Sequence, residues 1–153
     1  MTTRPDDVSL YDVFFDLTRT EMQLWDHIDD ALRAEIDVPL GRFEALLVLR
    51  RLGPCRILDV SRELALTVGG TSKLIDKLET TGLCLRAPNP DDRRSSLITL
   101  AETAPAVIDR GEAVIETTLR SHLDAHLTGE EITALRGALR ALRRATNEAS
   151  LPE

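Results

Sequence analysis

Apolar residues recur at helical spacing along most of this chain, and the pattern breaks in one place, between Leu83 and Leu100. Two short runs, Leu83-Cys84-Leu85-Arg86 and Ser96-Leu97-Ile98-Thr99-Leu100, flank the segment Ala87-Pro88-Asn89-Pro90-Asp91-Asp92-Arg93-Arg94-Ser95. Proline presets φ, and Asn and Asp side chains bond their own backbone, so such a segment makes a tight exposed turn. The flanking runs read as strands. The break is therefore a β-hairpin whose tip carries arginine. Asp91 reads as a turn residue within it.

Everything else reads as helix. Leu10, Phe14, Leu17, Leu24, Trp25, Ile28, Leu32 and Ile36 lie on one stripe of a long amphipathic helix. Pro39 suits the first turn of a new helix, which runs from about Leu40 to Leu52 until Gly53-Pro54 stops it. A short helix near Ile57 to Leu64 follows, then a turn through Leu66-Thr67-Val68-Gly69-Gly70, then a helix to about Thr81 with Gly82 as its C-cap glycine. Two short helices joined by so short a turn form a helix-turn-helix candidate. Beyond the hairpin, Val107, Val114, Ile115, Leu119 and Leu123 mark a long helix ending near Leu127. Thr128-Gly129-Glu130-Glu131 is a capping box that starts another, with Ile132, Leu135, Leu139 and Leu142 as its stripe. The tail from Ala149 reads as frayed.

The expected fold is mainly α with a small β-hairpin wing. It divides into a helix-turn-helix lobe over 37–101 and a helical region over 8–36 and 102–147. The terminal helices are long and apolar on one side, and one small lobe cannot cover them. Packing the terminal helices of two copies together solves that problem, so a homodimer is expected.

Aromatic residues make up only 3% of the chain, so the core must be aliphatic. The polar, acidic stretch Met1 to Asp7 does not read as a signal peptide, and no run approaches the ~18 apolar residues of a membrane span. A cytoplasmic location and no membrane partner are expected. Cys55 and Cys84 form no disulfide framework and no CxxC pair, which suits a reducing compartment. Cys84 reads as a small buried hydrophobe; Cys55, in a Gly-Pro-Cys turn, reads as exposed. No nucleophile–base arrangement, phosphate-cradling glycine loop or strong metal motif appears, so an enzyme is not expected, nor a cofactor.

The net charge of −7 argues against a nucleic-acid partner until it is divided by region. From Arg50 to Leu100 nine basic residues face six acidic ones, a net +3, which leaves −10 for the rest. Both lysines of the chain, Lys73 and Lys77, fall in this window. The pattern is a basic face on an acidic body.

The stretch Leu74 to Leu100 resembles the MarR family of bacterial winged-helix regulators. Leu78, Gly82, Arg86, Pro90, Asp92, Arg94 and Leu100 match the order and spacing of the family's recognition-helix end, basic strand, wing and return strand. The resemblance extends, more weakly, over Leu10 to Ala145. It implies double-stranded DNA as partner and a dimer on a pseudo-palindrome. The recognition helix would lie in the major groove and offer Thr67, Gly69, Gly70, Thr71, Ser72, Lys73, Asp76 and Lys77, with Thr71 and Lys73 as base contacts. Asp92, Arg93 and Arg94 would form the wing, with arginine in the minor groove and Asp92 paired to an arginine. Arg62 and Arg86 are further phosphate candidates. One departure is Leu100-Ala101, where the family has Leu-Thr; Thr99 or Thr103 is the substitute cap.

Many relatives bind a small phenolic or carboxylate effector, which here implies a pocket of Arg19, Trp25, His27, Phe43 and Leu46. Packing of Trp25 in a dimer core is the competing reading. His122 and His126, spaced i,i+4, are weak metal candidates that point to a metal-responsive regulator; favourable interaction with a helix C-terminus is the plainer reading. The leading expectation is a ligand-released repressor. A winged-helix protein-interaction module without DNA binding is the alternative that the acidity favours.

Overall fold

The computed structural model describes residues 8–92 and 94–148. The order is α1 (Leu10–Ile36), α2 (Leu40–Leu52), α3 (Ile57–Leu64), α4 (Val68–Thr80), β1 (Cys84–Pro88), β2 (Ser96–Leu100), α5 (Ala104–Leu123) and α6 (Gly129–Glu148). The chain forms two compact units, one ending at Ile115 and one beginning at Glu116.

The first unit is wider than a 37–101 lobe. Ile28 and Leu32 of α1 and Ala104, Ile108 and Gly111 of α5 are buried in it. Its centre is α2, with Phe43, Leu46 and Leu49 almost inaccessible. Glycine at 111 makes this packing possible, because a Cβ there would stand 2.1 Å from Phe43 Cε2. The α1–α2 corner is fixed by Asp29. Its carboxylate accepts from the Leu40 N–H at 2.6 Å and from Arg33 Nε at 2.5 Å. That N–H belongs to the first turn of α2, which has no intrahelical partner. Pro39 stands one place earlier than the sequence suggests, as the N-cap rather than the first helical residue.

Each short helix ends where local chemistry stops it. At the end of α4, Gly82 adopts φ 73°. Its N–H reaches Glu79 O, and the next N–H, of Leu83, reaches back to Leu78 O. This is the six-to-one closure of a Schellman motif, with Leu78 and Leu83 both buried. The same closure ends α3: the Ala65 N–H bonds Arg62 O and the Leu66 N–H bonds Ser61 O. There the left-handed position, φ 52°, is held by alanine.

β1 and β2 pair antiparallel from Cys84↔Leu100 to Pro88↔Ser96. Cys55 adds an isolated bridge to Ile98, which ties the base of the hairpin to the start of α3. Cys55 is consequently buried, not exposed, and burial pushes its thiol pKa up. Cys84 is fully buried with its thiol 3.7 Å from Ile75 O, and burial, assisted by Glu79, pushes it up to about 11. Thiolate chemistry is disfavoured at both. Of the two candidate caps for α5, Thr99 lies inside β2, and the Thr103 hydroxyl donates to Gly82 O at 2.9 Å.

In the second unit, α5 ends at Leu123, four residues earlier than expected. The capping box of α6 is complete: the Thr128 N–H donates to Glu131 Oε2 at 2.7 Å, and the Glu131 N–H donates to Thr128 Oγ1 at 3.3 Å. Leu135, Leu139 and Leu142 form an exposed apolar stripe on α6. Among the described residues, no helix is long and apolar enough to cross a membrane.

Candidate nucleic-acid interface

α4 is two-sided. Thr71, Ile75 and Leu78 recur at i, i+4 and i+7 and are its buried residues, while Gly69, Gly70, Lys73, Asp76 and Lys77 are exposed and Ser72 is half-buried. The expectation for Thr71 is therefore corrected. It is 0% exposed, and its hydroxyl donates to Thr67 O at 3.0 Å, so it cannot reach a base. Its place four residues before Ile75 is the signal that assigns it to the core stripe. Thr67 caps the helix and accepts from the Gly70 N–H at 3.1 Å. A Cβ on Gly70 would approach that same hydroxyl oxygen, whereas Gly69 faces open space. The helix start thus offers backbone N–H groups at a bare surface, an arrangement that favours anions.

The wing is built around a buried side chain that sequence reasoning passed over. Asn89 is 3% exposed. Its Nδ2 donates to Ser95 Oγ at 2.9 Å, and its Oδ1 accepts from the Asp91 N–H at 3.0 Å. The Asx habit of bonding two residues onward, within Pro-Asn-Pro, is the signal that marks it. Asp92 forms no close ion pair with an arginine side chain among the described residues, although the charge of Arg56 also favours its carboxylate. Its carboxylate accepts from the Arg94 N–H at 3.0 Å. That bond, with one from Ser95, holds its pKa below the usual carboxylate range. The acid stiffens the turn through the backbone and leaves the Arg94 side chain exposed. Arg93 lies outside the described residues.

Arg86 is not a free cation. Its guanidinium donates to Asp76 Oδ1 at 2.6 Å and lies 3.4 Å from Glu79 Oε2. Arg62 is exposed on α3. A hollow of about 440 Å³ lies where α3, α4 and the wing meet, lined by Arg56, Ser72, Arg86, Arg94, Ser95 and Ser96 among others. Arg56 is a second residue the sequence did not single out. It precedes α3, and the fold carries it to the wing.

The other candidates do not come together. Phe43 and Leu46 are fully buried in the core of the first unit, whereas Arg19, Trp25 and His27 are exposed on α1. The fold of one chain does not bring the five round one cavity. His122 lies in the last turn of α5, and His126 lies beyond its end. The two histidines do not share a continuous helix face, and the described residues contain no cluster of three or more His, Cys, Asp or Glu able to hold a metal.

Residues 38–96 match the model of the MarR family. The multiple antibiotic resistance protein MarR of Escherichia coli (strain K12) is 24% identical over 100 residues, covering 65% of this chain and 69% of that protein. Its solved apo form superposes with a TM-score of 0.76 at 20% identity, over 90% of this chain and 98% of that one. Sco3205 of Streptomyces coelicolor, a MarR family transcriptional regulator solved in complex with DNA, gives 0.77 at 20% identity, over 94% and 92%. BpsR of Bordetella bronchiseptica, whose DNA binding is regulated by 6-hydroxynicotinic acid, gives 0.74 at 20% identity, over 93% and 98%. The matched segment spans the helix-turn-helix and most of the wing, and the likeness in fold extends over nearly the whole chain: this protein is similar to the MarR family in its helix-turn-helix and wing and shares the winged-helix fold of the solved MarR proteins.

Proposed function

We propose that this chain is a cytoplasmic, homodimeric repressor that reads a pseudo-palindromic operator in double-stranded DNA and is released by a small aromatic or carboxylate effector. The observation that carries the reading is the hollow between α4 and the wing. Exposed Arg94 and Arg56 flank it, and exposed Lys73 and Lys77 stand on the same helix as Ser72. Lys73 and Lys77 repel slightly at i,i+4, and phosphate partners relieve that. The segregated charge accounts for a DNA reader with a net −7. In this reading Lys73, Lys77 and Ser72 meet the major groove, Arg94 the minor groove, and Arg56 a phosphate between them.

The dimer is supported by exposed apolar residues on α1, among them Leu10, Tyr11, Phe14 and Trp25, and by the stripe on α6. Such surfaces seek a partner. A second copy would also bring two recognition helices to half-sites one helical turn apart, ~10 bp. The effector reading rests on family likeness, and a pocket for it would need the second copy to complete it.

The test is gel retardation of DNA from upstream of the coding sequence across a salt series. Retardation that weakens steeply with salt is expected. Arg94→Ala and Lys73→Ala should each lower the salt slope by about 1. A folded protein that retards no DNA at ~50 mM salt would overturn the reading and favour the protein-interaction module.

A further inference from the structure

The arginines around the hollow are not equivalent. Arg56 and Arg94 form no ion pair among the described residues, whereas Arg86 is spanned by two carboxylates of α4. Asp76 and Glu79 stand three residues apart on one helix face, and the planar guanidinium reaches both with different nitrogens, NH2 at 2.6 Å and NH1 at 3.4 Å. Its side chain retains only 28% of its exposure.

The place of this bridge in the hairpin matters. The hairpin base is anchored by main-chain bonds between Leu83 and Ala101 and between Cys55 and Ile98. The Cys84 thiol meets the Ile75 carbonyl at the same level. Arg86 lies two residues farther along β1, opposite Ile98, and its ion pairs join the side of β1 to α4. Beyond it, Pro88 and Pro90 set the backbone and Asn89 locks the turn.

We propose that Arg86 is a positioning residue. By bridging Asp76 and Glu79 it holds the wing, and with it Arg94, at a set distance from Lys73 and Lys77. This rests on the reading that α4 and the wing together engage DNA. It reverses the sequence expectation that Arg86 and Asp76 face DNA themselves. Asp76, an acid on a helix face meant for phosphates, then has a use: it anchors the brace.

Arg86→Gln and Arg86→Lys test the brace. Duplex upstream DNA is titrated with wild type and each variant between 50 and 200 mM salt, and thermal midpoints confirm folding. A positioning role predicts that Arg86→Gln lowers affinity roughly fivefold at every salt concentration, with an unchanged salt slope. Arg86→Lys should fall between, because an ammonium is a single point charge that cannot span two carboxylates as a planar fork does. A slope reduced by about 1 would mean that Arg86 touches phosphate, and it would overturn the proposal. Unchanged affinity would overturn it too.

Amide hydrogen exchange without DNA gives an independent readout. Arg86→Gln should speed exchange in the hairpin from Leu85 to Ser95 and leave α2 unchanged. Equal hairpin exchange in wild type and variant would refute the brace. If the wild type binds no DNA, the functional reading fails, and exchange alone still decides whether the brace exists. If Arg86→Gln does not fold, the same comparisons are made with Arg86→Lys.

Discussion

Gly111→Ala separates local helix chemistry from tertiary packing, because the two predict opposite signs. Gly111 lies inside α5, where alanine is better than glycine by about 1 kcal/mol. The ideal Cβ, however, would stand 2.1, 2.6 and 2.9 Å from three carbons of the Phe43 ring. Carbon atoms in contact settle at ~3.5–4.0 Å, so either the ring or α5 must shift by well over an ångström. Phe43 is fully buried, so its ring is enclosed by the packed core. Overpacking of this kind costs about 1–3 kcal/mol, and so short a contact belongs at the upper end. After subtraction of the helix gain, a net loss of about 2 kcal/mol remains. In a chain of this size that lowers the thermal midpoint by about 4–8 °C, measured at fixed protein concentration because self-association would shift it. Gly137→Ala is the matched control. It lies inside α6 with nothing within 4 Å of its Cβ, and it should gain up to about 1 kcal/mol. Shortening the ring with Phe43→Leu should recover part of the loss in the double variant. A Gly111→Ala protein as stable as wild type would refute the steric argument.

Ala65→Gly should stabilise by about 1 kcal/mol in urea unfolding, because alanine pays for the left-handed φ of 52° and glycine does not; a loss of stability would show that the methyl contributes packing. Asn89→Ala removes a buried, doubly bonded carboxamide and should loosen the wing by about 1–2 kcal/mol, read as faster exchange at the Asp91 and Ser95 amides, while the midpoint of the whole domain changes little. Burial, with Glu21 nearby, raises the carboxyl pKa of Glu44 above its ordinary 4.5. The folded state then holds that proton more tightly than the unfolded chain, so stability from this group falls as pH rises through the folded value. Glu44→Gln should therefore be more stable than wild type at pH 7, with the advantage fading below pH 4.5, and a difference independent of pH would refute the assignment.

Helix limits were legible in the sequence because what sets them is local. The stops and turns of α2 to α4 depend on neighbours within about five residues, and Gly53, Thr67 and Gly82 are those neighbours. The hairpin was legible for the same reason, since Pro88, Asn89, Pro90 and Asp92 constrain their own backbone. Which side of a helix faces outward is a different question. A threonine offers the same hydroxyl whether buried or bare; its spacing from Ile75 points to the inner stripe, and the packing of α4 on α2 and α3 places Thr71 inside and Lys73 outside. Likewise, Arg86, Asp76 and Arg56 are ordinary charges until the chain folds, pairs Arg86 with Asp76 ten positions away and brings Arg56 and Arg86 to one hollow. Charge and apolar spacing belong to the chain; the partner each side chain meets is settled by long-range packing, which no local pattern encodes.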